Sequence, residues 1–381
     1  MRELLPRVRR RARQCDADRQ VPEETIRELL AAGLFGIVTP RSFGGSELGL
    51  ATLVDVTVEL ASACGSSGWV FGVLAGHGWL LNLFPIQAQG EVFGSECSLT
   101  ATVFRLAGSV RAVPGGYQLS GGEGRFCSGI DHAGWVIVGT QVLHPDEPAR
   151  PTFLVLPRSS ITEIVDDWYV AGMRGTGSKT IRIAEAFVPE HRAVEMADMV
   201  AGTAPGARHH LGGLYRMPWR DVAPFSLIGV PIGVGRAAVA VFAESLRKAM
   251  AGFVPEQIAE QSATLARLAV AAADIDAAYA TVIENASRID AATSPSELDH
   301  AQRARIPRDW AYAAQRSRQA VTSLFEAAGG SAAYDASELQ RLWRDVNAAA
   351  QHIAFSWDGA MAAFGRTLVG SPPAKYGPKG R

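Results

Sequence analysis

Three textures along the 381 residues predict an α+β chain, mainly α, in three regions: a helical domain over 1–97, a β domain over 98–200 and a four-helix bundle over 201–381. The first region repeats apolar residues at helical spacing. The second breaks into short apolar, β-branched and aromatic runs divided by Gly, Pro, Asp and Ser, the texture of a mostly antiparallel sheet. The third is long and rich in alanine, the best helix former.

Pro22 opens a helix in which Ile26, Leu29, Leu30 and Leu34 recur at helical spacing, and Gly33 stands where a C-terminal cap belongs. Ser42-Phe43-Gly44-Gly45-Ser46 interrupts the pattern, and Gly65-Ser66-Ser67 is expected to cap a helix starting near Trp69. The apolar run from Trp69 to Phe84 contains Gly72, Gly76, His77, Gly78 and Asn82 and falls short of the roughly 20 residues of a bilayer crossing, so it reads as a buried helix. Trp135-Val136-Ile137-Val138, Phe153-Leu154-Val155-Leu156 and Thr180-Ile181-Arg182-Ile183 read as strands. Pro114-Gly115-Gly116 marks a hairpin, and Pro145 to Pro151 a longer loop.

Beyond a Gly, Pro and His-rich linker around 202–213, antiparallel helices are expected near 224–250, 256–290, 296–328 and 335–368. Leu265, Leu268, Ala269, Ala272 and Ile275 share a stripe expected to pack the bundle core. Gly229-Val230-Pro231-Ile232-Gly233-Val234-Gly235 imitates a dinucleotide loop. It lacks the GxGxxG spacing and a βαβ setting, so its glycines are read as close helix packing and no nicotinamide site is visible.

With 37 basic against 38 acidic side chains the chain has no global field to attract nucleic acid or anionic lipid, and neither is expected as a partner. Cys15, Cys64, Cys97 and Cys127 are scattered without a CxxC pair, which suggests neither a metal site nor a disulfide framework and fits a reducing cytosol. The start, with Arg2, Arg7, Arg9, Arg10, Arg11 and Arg13, has no apolar stretch behind it of the kind a signal peptide needs, so a cytoplasmic location is expected.

Four stretches carry a family resemblance. Gly65-Ser66-Ser67-Gly68-Trp69 continues to His77, and eight residues along a helix set Trp69 and His77 about 80° apart, close enough to border one cavity. Gly124-Arg125-Phe126-Cys127-Ser128-Gly129 ends a strand on a hydroxyl, Gly172-Met173-Arg174-Gly175-Thr176-Gly177-Ser178 is a Gly and hydroxyl-rich turn, and Arg344-Asp345-Val346-Asn347 leads to Gln351-His352 on the last long helix. Each has a plainer structural reading: a core histidine bonded to a backbone carbonyl, a Ser-Gly turn, a hairpin, a capping histidine.

Together they resemble the acyl-CoA dehydrogenase superfamily over about Val21 to Gly370, in particular its flavin monooxygenase branch, which includes oxygenases acting on 4-hydroxyphenylacetate, steroid-derived phenols, indoles and dibenzothiophene. The dehydrogenases often carry a catalytic glutamate near His352; here a histidine stands instead, which disfavours a desaturase, and retention of histidine, serine and tryptophan at matching positions disfavours a non-catalytic scaffold.

The resemblance implies the oxygenase component of a two-component aromatic monooxygenase. Reduced FMN or FAD would come from a separate flavin reductase, and O2 would form a C4a-hydroperoxide that hydroxylates a phenolic or indolic molecule. It assigns catalysis to His352, His77 and Ser128, with Ser128 at flavin N5 and His77 on a phenol-like hydroxyl at a near-neutral pKa. Trp69, Thr102, Phe126, Ser128, Thr176 and Ser178 would surround the flavin, and His77, Arg216 and Trp219, the last two in the turn Tyr215-Arg216-Met217-Pro218-Trp219, would meet the substrate. The family habit and the alanine-rich helix faces imply a homotetramer.

Overall fold

The computed structural model describes residues 1, 3–210 and 212–371; Arg2, Leu211 and 372–381 lie outside the described residues. The chain starts with helices α1 (Leu5–Asp18), α2 (Glu23–Ala31), α3 (Leu50–Ala63), α4 (Gly65–Leu81) and α5 (Ile86–Phe93). α1 buries Val8, Ala12 and Cys15, one face at helical spacing. Gly33 leaves α2 at φ +69°, the left-handed exit that a residue without Cβ adopts freely. α4 begins four residues before Trp69: Cys64 is its extended N-cap, and Ser66 and Ser67 are buried inside the first turn rather than capping it. The single extended residue Cys64 joins α3 to α4 so tightly that the serines have already entered the helix. α4 is buried on nearly every face.

The β domain holds β1 (Thr100–Val103), β2 (Leu106–Val113), β3 (Gly116–Cys127), β4 (Trp135–His144), β5 (Glu147–Pro157), β6 (Ile161–Val165), β7 (Lys179–Pro189) and β8 (Ala193–Glu195). They form one sheet in the order β6-β7-β3-β2-β4-β5-β8, with β1 added beside β4. The β1–β4 and β2–β4 pairs are parallel and the others antiparallel. Gly115 turns the β2–β3 hairpin at φ +82°. The loop expected over Pro145 to Pro151 is instead a tight turn: His144 pairs with Glu147 and Asp146 takes φ +59°, so β5 already runs through Pro148 and Pro151. Proline is tolerated there because Glu147 to Pro151 are exposed.

Helices α6 (Met196–Ala201) and α7 (Trp219–Val222) lead into the bundle of α8 (Phe225–Ala249), α9 (Pro255–Glu260), α10 (Ser262–Ala291), α11 (His300–Ala327), α12 (Glu338–Ala349) and α13 (Trp357–Leu368). The glycines of α8 serve packing: a Cβ on Gly233 would lie 2.3 Å from the Val58 carbonyl oxygen of α3, and one on Gly72 of α4 would lie 1.9 Å from that of Ser226. The helical stretch Trp219–Ala249 is long and apolar enough to cross a membrane, and 72% of its apolar window is buried in the fold.

Two expectations for the bundle change. In α10 the buried positions begin at Ala271 and continue through Ile275, Ala278 and Val282; Leu265 and Ala269 are exposed, while Leu268 packs half-buried against the core. The last long helix is really two. α12 stops at Ala349, and His352, in extended conformation at φ −60° and ψ 137°, caps a short 3-10 turn over Ile353–Phe355 before α13. The imidazole captures the Ala354 N–H that a continuous helix would have used, so the histidine itself supports the break.

Candidate active site

Three chain segments converge on Trp69. The first is the end of β3, where a register shift between Gly124 and Cys127 puts Phe126 at φ +64° and delivers Ser128 just beyond the strand. Ser128 Oγ accepts the Trp69 indole N–H at 3.2 Å. Cys127 faces inward, and burial pushes its thiol well above the usual range, so it packs rather than reacts.

The second segment is the turn before β7. Ser178 Oγ lies 2.7 Å from Ser128 Oγ, and Thr176 Oγ1 lies 2.7 Å from Ser178 Oγ and 2.9 Å from the Met173 carbonyl oxygen. Met173 itself is held at φ +58°, with its N–H donated to Asp345 Oδ1 at 2.6 Å. A Cβ on Gly172 would sit 2.1 Å from the Arg344 carbonyl oxygen, so the turn is pressed directly onto α12. Burial drives the Asp345 carboxyl up to about 7, against the opposing pull of Arg341 and the Met173 N–H.

The third is the break after α12. The His352 ring meets Trp69 edge-on at 5.6 Å between centroids. Its Nδ1 accepts the Ala354 N–H at 3.3 Å, which in a neutral ring leaves the proton on Nε2. Burial lowers its pKa to about 4.

His77 occupies a different setting eight residues along α4. Its Nδ1 lies 2.6 Å from the Thr100 carbonyl oxygen and 3.2 Å from Thr102 Oγ1. A carbonyl only accepts, so Nδ1 carries the proton and Nε2 keeps a bare lone pair. Burial lowers this pKa also to about 4, with the Thr100 bond opposing, in place of the near-neutral value of a free imidazole. The ring is thus fastened as a structural histidine would be while one nitrogen remains uncommitted.

The expected residues therefore divide. Trp69, Ser128, Thr176, Ser178 and His352 come together, whereas Thr102 joins His77. Phe126 is 70% exposed and meets the edge of Trp168 at 6.0 Å between centroids. Arg216 is exposed on a 3-10 turn, and Trp219 packs between Phe104 and Phe153 at 5.8 and 5.9 Å. Sequence reasoning passed over Asp345 as an anchor and Phe104, which directly follows β1 two residues beyond Thr102. A buried aspartate on an otherwise ordinary helix leaves no local signal; only its contact with Met173 reveals it.

The donor set suits a flavin. It offers hydroxyls backed by a fixed carbonyl, an indole and an imidazole at one edge, and an exposed aromatic on strained backbone. Arg174 Nε, in the same turn, is buried without a partner, a cationic donor suited to an anionic ring or phosphate. Among the described residues no three His, Cys, Asp or Glu side chains gather as metal ligands.

Residues 2–93 match the family model for the acyl-CoA dehydrogenase N-terminal domain, and residues 226–357 that for the acyl-CoA dehydrogenase C-terminal domain. The chain is 36% identical over 373 residues to the flavin-dependent monooxygenase oxygenase subunit HsaA of Mycobacterium tuberculosis (strain ATCC 25618 / H37Rv), covering 97% of this chain and 94% of that one. It is 34% identical over 376 residues to the oxygenase component of the FADH(2)-dependent resorcinol hydroxylase of Rhizobium sp. (strain MTP-10005), covering 95% and 91%. The crystal structure of the M. tuberculosis HsaA monooxygenase superposes with a TM-score of 0.90 at 34% identity, covering 98% of this chain and 96% of that one.

Proposed function

The chain belongs to the flavin-dependent monooxygenases of the acyl-CoA dehydrogenase superfamily, and from that premise we propose how its own residues divide the work. It is the oxygenase component of a two-component flavin-dependent hydroxylase acting on an aromatic compound, with a flavin reductase as partner. Reduced flavin, when bound, supplies the electrons that activate O2.

Ser128, backed by Ser178 and Thr176, holds flavin N5, with Trp69 as the wall beside it and Phe126 and Arg174 at the rim. His352 presents an Nε2–H as a donor at the same edge. His77 accepts the hydrogen of a phenolic hydroxyl on its bare Nε2; with a pKa near 4 it orients and polarises that hydroxyl rather than storing its proton. Phe104 and Trp219 line the far side of the substrate, and Arg216 lies at its entrance. The observation that carries this reading is the pair of neutral histidines with opposite tautomers, one beside the Ser128 hydroxyl chain and one fastened from α4 to the Thr100 carbonyl of β1, with no glutamate in Gln351-His352-Ile353-Ala354 to serve as a dehydrogenase base.

Two further parts of the proposal rest on surface and thiols. Ile353, 85% exposed, and Trp357 leave apolar surface beside His352, and Val254 just before α9, Ile258 on α9 and Val270 on α10 leave more, which supports a homotetramer. Cys15, Cys64 and Cys127 are buried free thiols, which supports a cytoplasmic location. The test is a screen of phenols and indoles with reduced flavin supplied under O2, following products by mass. A mass gain of one oxygen on an aromatic substrate is expected. Bleaching of oxidised flavin by an acyl-CoA under anaerobic conditions, with no oxygenated product in the screen, would overturn it.

A further inference from the structure

Each hydroxyl in the chain beside Trp69 carries one hydrogen, so placing the hydrogen at one end of the chain sets the direction of the rest. Thr176 Oγ1 lies 2.9 Å from the Met173 carbonyl oxygen, which can only accept, and this is the shortest of three contacts to that oxygen, ahead of the Thr176 N–H at 3.1 Å and Trp168 Nε1 at 3.3 Å, so the hydrogen of Thr176 is placed there. Ser178 Oγ, 2.7 Å from Thr176 Oγ1, must then be the donor to it. By the same rule Ser128 donates to Ser178 across 2.7 Å. The Trp69 indole, a donor only, takes one lone pair of Ser128. Ser128 is left with one free lone pair and no hydrogen to offer.

We propose that Thr176, anchored on the Met173 carbonyl, is a positioning residue that fixes the direction of this chain and thereby makes Ser128 select flavin by oxidation state; the inference rests on the reading that Ser128 meets flavin N5. N5 of the reduced ring carries a hydrogen and donates it, which satisfies an acceptor-only Ser128. N5 of the oxidised ring is itself a bare acceptor, and two facing acceptors leave both unsatisfied. The selection needs no charge. It depends on a carbonyl held in place: Asp345 accepts the Met173 N–H, and Gly172 is pressed against the backbone of α12.

The experiment is an anaerobic titration of the full chain with FMN and with FAD, each in oxidised and reduced form, read as the ratio of the two dissociation constants. The wild type should bind the reduced form at least about tenfold more tightly. Thr176→Val and Ser178→Ala each release a hydrogen that Ser128 can turn toward N5, so the ratio should shrink about tenfold, mainly through tighter binding of the oxidised form. The midpoint potential of the bound flavin should fall by about 30 mV for that factor. Thr176→Ser keeps the anchor and should keep the ratio. An unchanged ratio in both Thr176→Val and Ser178→Ala, including a loss shared equally by the two forms, overturns the inference. Ser128→Ala with wild-type constants for both forms would instead remove the reading beneath it.

Discussion

His77 lies inside an unbroken helix and His352 where a helix gives way, and burial depresses both to about 4. Their chemistry is nevertheless opposite. His77 spends its Nδ1–H on a strand carbonyl and is left with an acceptor; His352 spends its Nδ1 lone pair on a backbone N–H and is left with a donor. The difference teaches that the tautomer of a neutral histidine is set by the backbone group it finds, not by its pKa. An intact helix has no free N–H to offer, so His77 reaches across to β1, whereas the break after α12 exposes the Ala354 N–H to His352.

The strongest way to break this contrast is to remove the free nitrogen of His77 and keep the fastened one. His77→Asn retains an amide N–H for the Thr100 carbonyl but has nothing at the Nε2 position. Product formation with reduced flavin should fall by roughly a hundredfold while flavin affinity is unchanged. Undiminished hydroxylation by this variant would return His77 to a purely structural role.

A second test uses acid. Folded His77 titrates near 4 and an unfolded imidazole near 6.5, so its contribution to stability is complete above 6.5 and is lost as pH falls toward 4. Asp345 runs the other way, since its folded pKa is raised and protonation favours the fold. Comparing wild type with His77→Asn cancels Asp345 and every other shared group. Between pH 7 and 4.5 in urea, wild type should lose on the order of 2 kcal/mol more than the variant. Parallel losses would show that His77 is not held neutral by the fold.

For His352 the donor is the point, so a side chain that still donates should rescue it. His352→Ala is expected to lower the yield of product per flavin oxidised by about tenfold, and His352→Gln, with an amide N–H, to recover most of it. Equal loss in both variants would mean that the ring's shape against Trp69 matters and its Nε2–H does not. The smallest effect is expected at Ser128, which accepts the indole N–H of the Trp69 that meets His352. Ser128→Ala should keep the melting temperature and raise hydrogen peroxide relative to product about fivefold, the factor that one ordinary hydrogen bond of roughly 1 kcal/mol gives.

Much of the architecture was legible in residue order because it rests on local physics. Periodicity marked the helices, β-branched runs the strands, and Gly115 the hairpin, and the packing role of the α8 glycines followed from their helical setting. The errors also have local causes. Ser66 and Ser67 have the composition of a cap but are buried inside the first turn, Pro148 and Pro151 suggest a loop but lie on exposed β5, and the helix expected over 335–368 breaks after Ala349 where His352 captures a backbone N–H.

The sequence by itself determined the order of helices, strands and bundle, and singled out the residues proposed for the site: Trp69, His77, Ser128, Thr176, Ser178 and His352. Only the tertiary structure decided what each can do. Hydrogen direction along Thr176, Ser178 and Ser128 depends on the Met173 carbonyl, and that carbonyl is aimed by Asp345, 172 residues away along the chain. Which histidine nitrogen holds a proton depends on Thr100 in one case and on a helix break in the other. Donor and acceptor are relations between groups brought within about 3 Å, and no single position in a chain carries them until folding supplies the partner.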